Sequence, residues 1–187
     1  MKMLLIVDPQ IDFIEGSLPV EGAIDAMERL ASYVNESGGE YACKVITADW
    51  HPFRHSSFSA EGGIWPRHCV ADTVGAAIYP PLVEPLYLTA GDTVVLHKGT
   101  DAATEEYSIF ANREAAGEIN RLVGEHDIDR IDICGLAGDI CVLNTLKDAT
   151  AIYGNKMFKV LTRFSPSLDG GKTLNEFIDL NKIECDR

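Results

Sequence analysis

Basic residues are scarce in this chain: 16 Lys and Arg stand against 29 Asp and Glu, a formal net charge of −13. A surface that acidic repels a phosphate backbone and an anionic membrane, which excludes a sequence-independent grip on either. Cysteines are few as well, five in 187 residues, and no two stand as C-x-x-C. An odd, unclustered set supports neither a disulfide framework nor a cysteine zinc site. No window approaches the roughly 20 apolar residues of a membrane span, and the apolar start stops at Asp8, too early for a signal peptide. These absences together predict a cytoplasmic protein with reduced thiols. Two common enzyme signatures are missing, G-x-G-x-x-G and G-x-S-x-G. Gly171-Lys172-Thr173 imitates a P-loop ending, but Pro166 stands where the upstream glycine is required.

What is present is an ordinary globular composition, 46% apolar and 24% charged, in a length suited to one domain. The run MLLIV at residues 3–7 predicts a strand buried on both faces, as in a parallel sheet. KVITA (44–48), TVVLH (93–97), RIDICG (130–135) and residues 156–161 predict four more strands. Between them, apolar residues recur at helical spacing over 23–34, with Ile24 among them, and over 113–125, 139–152 and 172–180. Strands alternating with helices predict an α/β fold with a mostly parallel sheet. Residues 49–91 differ, holding five of the eight prolines and three of the five histidines. A long stretch without regular pattern inside a compact domain is commonly functional. We therefore expect a single domain over 1–187 with a site-building insertion at about 49–91.

The predicted strands end in chemistry. The first ends at Asp8, the second at Asp49 and His51, the third at Lys98, and the fourth runs through Gly135 towards Cys141. Ligands of open α/β sheets bind beyond the carboxyl ends of the strands. Cys141 follows a small-residue turn at a predicted helix start, where the dipole favours a thiolate and free N–H groups can hold an oxyanion. Cys43, Cys69, Cys134 and Cys185 are expected to be dispensable for chemistry. Asp8 beside a thiol can shuttle its proton, and Lys98 would hold both groups in their charged forms. Asp49-Trp50-His51, followed by His55, Glu61 and His68, supplies the oxygen and imidazole donors of an open metal site. His97 and His126 read as structural, and acidic pairs such as Glu105-Glu106 as solvated.

As an ordered set these pieces resemble the isochorismatase-like cysteine hydrolases, and within them the nicotinamidase/pyrazinamidase group. The matching segments are residues 7–13 (VDPQIDF), 47–52 (TADWHP), 55–58 (HSSF), 65–70 (WPRHCV), 98–99 (KG) and 135–142 (GLAGDICV). The resemblance implies a three-layer α/β/α sandwich around a six-stranded sheet. It implies a catalytic triad of Asp8, Lys98 and Cys141, and an oxyanion hole from the N–H groups of Ala137 and Cys141 beside a cis peptide at Leu136-Ala137. One divalent metal ion is implied, zinc first and iron or manganese as alternatives, on Asp49, His51 and His68, with Glu61 a weaker member. Phe13, Trp65 and, less firmly, Tyr107 would line the substrate pocket. The implied reaction is hydrolysis of nicotinamide to nicotinate and ammonia, with pyrazinamide also accepted; a relative acting on another small amide or on isochorismate is the alternative. A non-enzymatic binding protein on the same fold is the reading from another class. Neither nucleic acid nor membrane is an expected partner, and a homo-oligomer stays open. Two departures stand out. Gly138 replaces the usual Thr or Ser and is expected to loosen the cysteine turn, and Arg163 replaces an acidic residue.

Overall fold

The structure, a computed structural model, describes residues 1–186. Six strands and six helices carry the architecture: β1 Lys2–Val7, α1 Ile11–Ile14, α2 Ala23–Ser37, β2 Cys43–Asp49, α3 Pro80–Leu88, β3 Asp92–Lys98, α4 Arg113–Glu125, β4 Arg130–Gly135, α5 Leu143–Tyr153, β5 Phe158–Val160, α6 Lys172–Asn181 and β6 Glu184–Cys185. The sheet runs β3-β2-β1-β4-β5-β6. Every pairing is parallel.

Burial explains the strand sequences. In β1, Leu4 and Ile6 pack into one apolar layer with Met27, Leu30 and Leu82. Met3, Leu5 and Val7 pack into the other with Ile119, Leu146 and Ile178. Side chains alternate across a strand, so a strand covered on both faces must be apolar throughout. On α2 the buried stripe is Ala23, Ala26, Met27, Leu30, Ala31 and Val34. Ile24, counted above with the apolar face, is 46% exposed because it lies off that stripe.

The residue-49–91 region has one regular helix that periodicity does not show. Two prolines open α3, where the missing N–H groups cost nothing, and a third, Pro85, lies inside it. The buried Lys44 ammonium donates to the carbonyls of Thr89 at 3.1 Å and Ala90 at 2.7 Å just past its end. The sixth strand is only two residues long, too short to leave a pattern.

Chain order reverses direction across the sheet at β1 and β4, the place where α/β folds leave a crevice. These strands pair from Lys2↔Arg130 to Val7↔Gly135. On the other side, Asp49↔Lys98 is the last register pair of β2 and β3. The carboxyl ends of four adjacent strands thus converge on one spot.

Candidate active site

Four side chains meet at those strand ends. Lys98 Nζ stands 2.9 Å from Asp8 Oδ2, hydrogen-bonds Asp49 Oδ1 and lies 3.7 Å from Cys141 Sγ. All four residues are buried. Asp8 adopts a left-handed φ of 46°, disfavoured for a residue with a side chain. Thr47 secures it: the Asp8 N–H donates to the Thr47 carbonyl at 3.1 Å, and Thr47 Oγ1 donates to Asp8 Oδ1 at 2.6 Å.

Electrostatics separates the two carboxylates. Burial pushes Asp8 up, outweighing the pull of Lys98, and the charge of Asp49 adds to the rise. Burial acts in the same sense on Asp49, but Lys98 and His51 overcome it and hold this carboxyl below the usual range. One carboxylate is therefore suited to accept a proton and the other to remain a fixed anion. Burial opposes charge on Lys98 too, yet Asp49, Asp8 and Cys141 push its pKa well above the ordinary value. The Cys141 thiol is driven well up, first by burial, with the carboxylates adding to it against Lys98. This corrects the dipole expectation. The resting thiol is neutral and needs a base.

Asp49, His51 and His68 form a second buried group whose donor atoms all lie within 4.8 Å of one another. His51 Nδ1 pairs with the Gly99 carbonyl at 2.9 Å and His68 Nδ1 with the Pro66 carbonyl at 2.8 Å. Each pairing fixes the Nδ1–H tautomer and leaves Nε2 free to ligate. Both Nε2 atoms face Asp49 Oδ2, at 3.6 Å and 4.0 Å, and His51 Nε2 is buried without a hydrogen-bond partner. Two imidazole lone pairs aimed at one carboxylate fit a divalent cation of the zinc type. His55 lies against His51, with ring centroids 4.1 Å apart and planes tilted by 33°. Its own nitrogens are engaged by Ser57 Oγ at 2.7 Å and the Thr104 carbonyl at 3.0 Å, so it supports the group from outside.

A chamber of about 390 Å³, its mouth included, opens above both groups, and Phe13, Trp65, Tyr107, Ala137, Asp49 and Cys141 are among its walls. Trp65 Nε1 donates to Tyr107 Oη at 3.0 Å, which joins two aromatic walls. Cys141 lies in a π-type turn, Gly138–Val142, ahead of α5, and Leu136-Ala137 is cis. Gly138 does not loosen this turn. A Cβ there would fall 2.3 Å from Ser167 Oγ and 2.5 Å from the Ser165 carbonyl, and the Gly138 N–H donates to the Pro166 carbonyl at 2.8 Å. Close packing of residues 165–167 requires the glycine. Arg163 pairs with Asp186 at 3.0 Å and stacks on Phe164; it does not line the chamber.

Glu61 is not brought to the metal group. It is exposed on a 3-10 turn, with Arg54 at 3.9 Å. The pair read as solvated behaves otherwise. Glu105 lines the chamber and its Oε2 is shielded without a hydrogen-bond partner. Glu106 Oε2 accepts from the Gly99 N–H at 2.7 Å, fixing the loop that follows Lys98. Both depend on tertiary burial, for which an acidic dipeptide carries no local signal. His97 stacks on Trp50 at 4.5 Å, and His126 pairs with Asp92 at 3.2 Å. No helix among the described residues is long and apolar enough to cross a membrane.

Comparison with known proteins places this geometry in a family. The isochorismatase-domain model matches residues 2–152. A nicotinamidase/pyrazinamidase of Mycobacterium tuberculosis is 35% identical over 154 residues, 80% of this chain and 78% of that protein. A nicotinamidase of Escherichia coli is 31% identical over 169 residues, 79% of this chain and 76% of that one. Among solved structures, a pyrazinamidase of Pyrococcus horikoshii in complex with zinc superposes with a TM-score of 0.83 at 28% identity, covering 100% of this chain and 98% of its own. The chain belongs to the isochorismatase-domain family, in its nicotinamidase/pyrazinamidase group.

Proposed function

We propose that the protein hydrolyses nicotinamide to nicotinate and ammonia, and pyrazinamide likewise, through a thioester on Cys141. The observation that carries this is one ammonium, Lys98, touching Asp8, Asp49 and Cys141 at the floor of an aromatic chamber. Asp8 takes the proton from Cys141 Sγ, and the thiolate attacks the amide carbon. The N–H groups of Ala137 and Cys141 hold the oxyanion, each such donor being worth about 3–4 kcal/mol. Asp8 then protonates the leaving nitrogen, the C–N bond breaks and ammonia departs. Asp8 next accepts a proton from water as the water attacks the thioester. The C–S bond breaks, Asp8 returns its proton to the thiol, and the product loses its carboxyl proton to solvent and leaves as nicotinate. Throughout, Lys98 offsets the charge that passes between Asp8 and Sγ.

Phe13, Trp65 and Tyr107 enclose the ring and exclude bulk water. Asp49, His51 and His68 would hold one divalent ion, zinc before iron or manganese, which when bound supplies a Lewis-acidic anchor for the pyridine nitrogen. In this reading residues 49–91 are a metal-site insertion within one domain. The test is ammonia release from nicotinamide, pyrazinamide and a set of carbamoyl and ureido compounds, before and after chelation and zinc repletion. The expected result is chelator-sensitive release from the two aromatic amides. Release from the ureido compounds alone would overturn the assignment.

A further inference from the structure

Two polar side chains in the segment after β1, one just before α1 and one within it, line no part of the chamber, and the reaction above gives them no role. Gln10 is fully buried. Its amide meets both backbone groups of Asp49: Oε1 accepts from the Asp49 N–H at 2.8 Å, and Nε2 donates to the Asp49 carbonyl at 2.7 Å. The second Nε2 hydrogen goes to the Ala76 carbonyl at 2.8 Å. The side chain thus acts as a strand partner for the last residue of β2.

Asp12 does the same for the other ligand segment. Its Oδ2 accepts from the Cys69 N–H at 2.7 Å and its Oδ1 from the Ser17 N–H at 3.0 Å. Cys69 directly follows His68 and lies at φ 46°, a conformation that a side-chain-bearing residue keeps only under restraint. The carboxylate fits a slot between two glycines. A Cβ on Gly16 would fall 2.4 Å from Oδ1, and one on Gly75 would fall 2.1 Å from Oδ2.

The geometry points to Gln10 and Asp12 as positioning residues, a clamp through which one segment, residues 8–14 with α1 in it, sets the places of both metal-ligand segments, Asp49 and His68. The same segment carries Asp8 at its start and Phe13 near its end. Asp49 also holds Lys98, so the clamp fixes the metal group relative to the reacting thiol. The inference rests on the assignment of Asp49, His51 and His68 as metal ligands.

Two variants of the full chain test it. Gln10→Glu turns two donor bonds into carboxylate oxygens facing carbonyl oxygens. Asp12→Asn removes one of two acceptors and keeps the side-chain shape. Should Gln10→Glu not fold, Asp12→Asn carries the test alone. Zinc affinity is measured by competition with a chromogenic chelator, and Cys141 reactivity by iodoacetamide alkylation without zinc. Each variant should raise the zinc Kd by about 10–100-fold, as losing outer-shell support does elsewhere, with alkylation changed by no more than about twofold. An unchanged Kd in the folded variants overturns the clamp and leaves the metal assignment standing. Alkylation falling in step with affinity also overturns it, since the loss would then be general. His51→Ala is the control: zinc binding equal to wild type there overturns the metal assignment and the clamp with it.

Discussion

Asp8→Asn separates two roles that a carboxylate beside a thiol can play. In the resting cluster Lys98 touches both Asp8 and Asp49, His51 also faces Asp49, and the donor atoms of Asp8, Asp49 and Cys141 lie within 4.8 Å of one another. A thiolate that has lost its proton to solvent adds a further negative charge beside Asp8. At that separation or closer and an effective dielectric of about 20, repulsion between the Asp8 carboxylate and the thiolate is about 3.5 kcal/mol or more. Removing the Asp8 charge should therefore lower the thiol pKa, by more than about one pH unit at 1.36 kcal/mol each. The amide still fits, since it can turn its nitrogen to Thr47 Oγ1 and its oxygen to Lys98. Turnover should nonetheless fall about 10²–10⁴-fold, the usual worth of a general base, or about 2.7–5.4 kcal/mol of barrier. Two assays read the two effects: the midpoint of the pH profile of Cys141 alkylation, and steady-state ammonia release from nicotinamide. Alkylation moving to lower pH while kcat collapses is the expected pair. A kcat within tenfold of wild type, or an alkylation midpoint that rises, would refute Asp8 as the proton carrier.

Lys98→Met should cost about 3–5 kcal/mol, the penalty for leaving buried charge unpaired. In that variant burial raises both carboxylate pKa values above those of the unfolded chain. Stability should then increase as pH falls towards 4 more steeply than in wild type, where Asp8 alone is raised and the lowered Asp49 contributes stability that is lost only below about pH 4; denaturant unfolding at several pH values checks the difference in slope. Gly99→Ala should cost about 2–4 kcal/mol and weaken zinc binding, because Gly99 has φ 66° and a Cβ there would lie 2.4 Å from the His51 ring; isothermal titration with zinc reads the second effect. Zinc affinity should itself rise with pH through and beyond the ordinary histidine range near 6.5. Burial lowers the His51 pKa, but Asp49 and the Gly99 carbonyl overcome it and push the value up, so zinc must displace a proton there. A flat affinity between pH 6 and 8 would count against His51 as a ligand.

The strand ends were legible because a doubly covered strand writes itself as an apolar run. Residues 3–7 and 130–135 point directly at Asp8 and the cysteine turn, and the sheet brings those loops together. The 49–91 region was legible as chemistry and opaque as structure. The prolines that begin α3 are helix-compatible, and Pro85 falls inside it, so proline content misled where position decides. Cys141 was found by its turn, but its protonation depends on full burial among carboxylates, which no local pattern states. Glu105, Glu106, Gln10 and Asp12 take their roles from partners distant in sequence or from burial. Glu61 shows the converse. Its place in the sequence suggested a ligand, while the turn that carries it faces solvent.

The central claim is a covalent intermediate on one thiol among five. Nicotinamide turnover quenched in acid at steady state, followed by mass analysis of the peptide containing Cys141, tests it directly. The account predicts a nicotinoyl group on Cys141, absent from Cys43, Cys69, Cys134 and Cys185 and lost in Cys141→Ala together with all ammonia release. Full turnover with Cys141 unmodified, or ammonia release by Cys141→Ala at the wild-type rate, would contradict it.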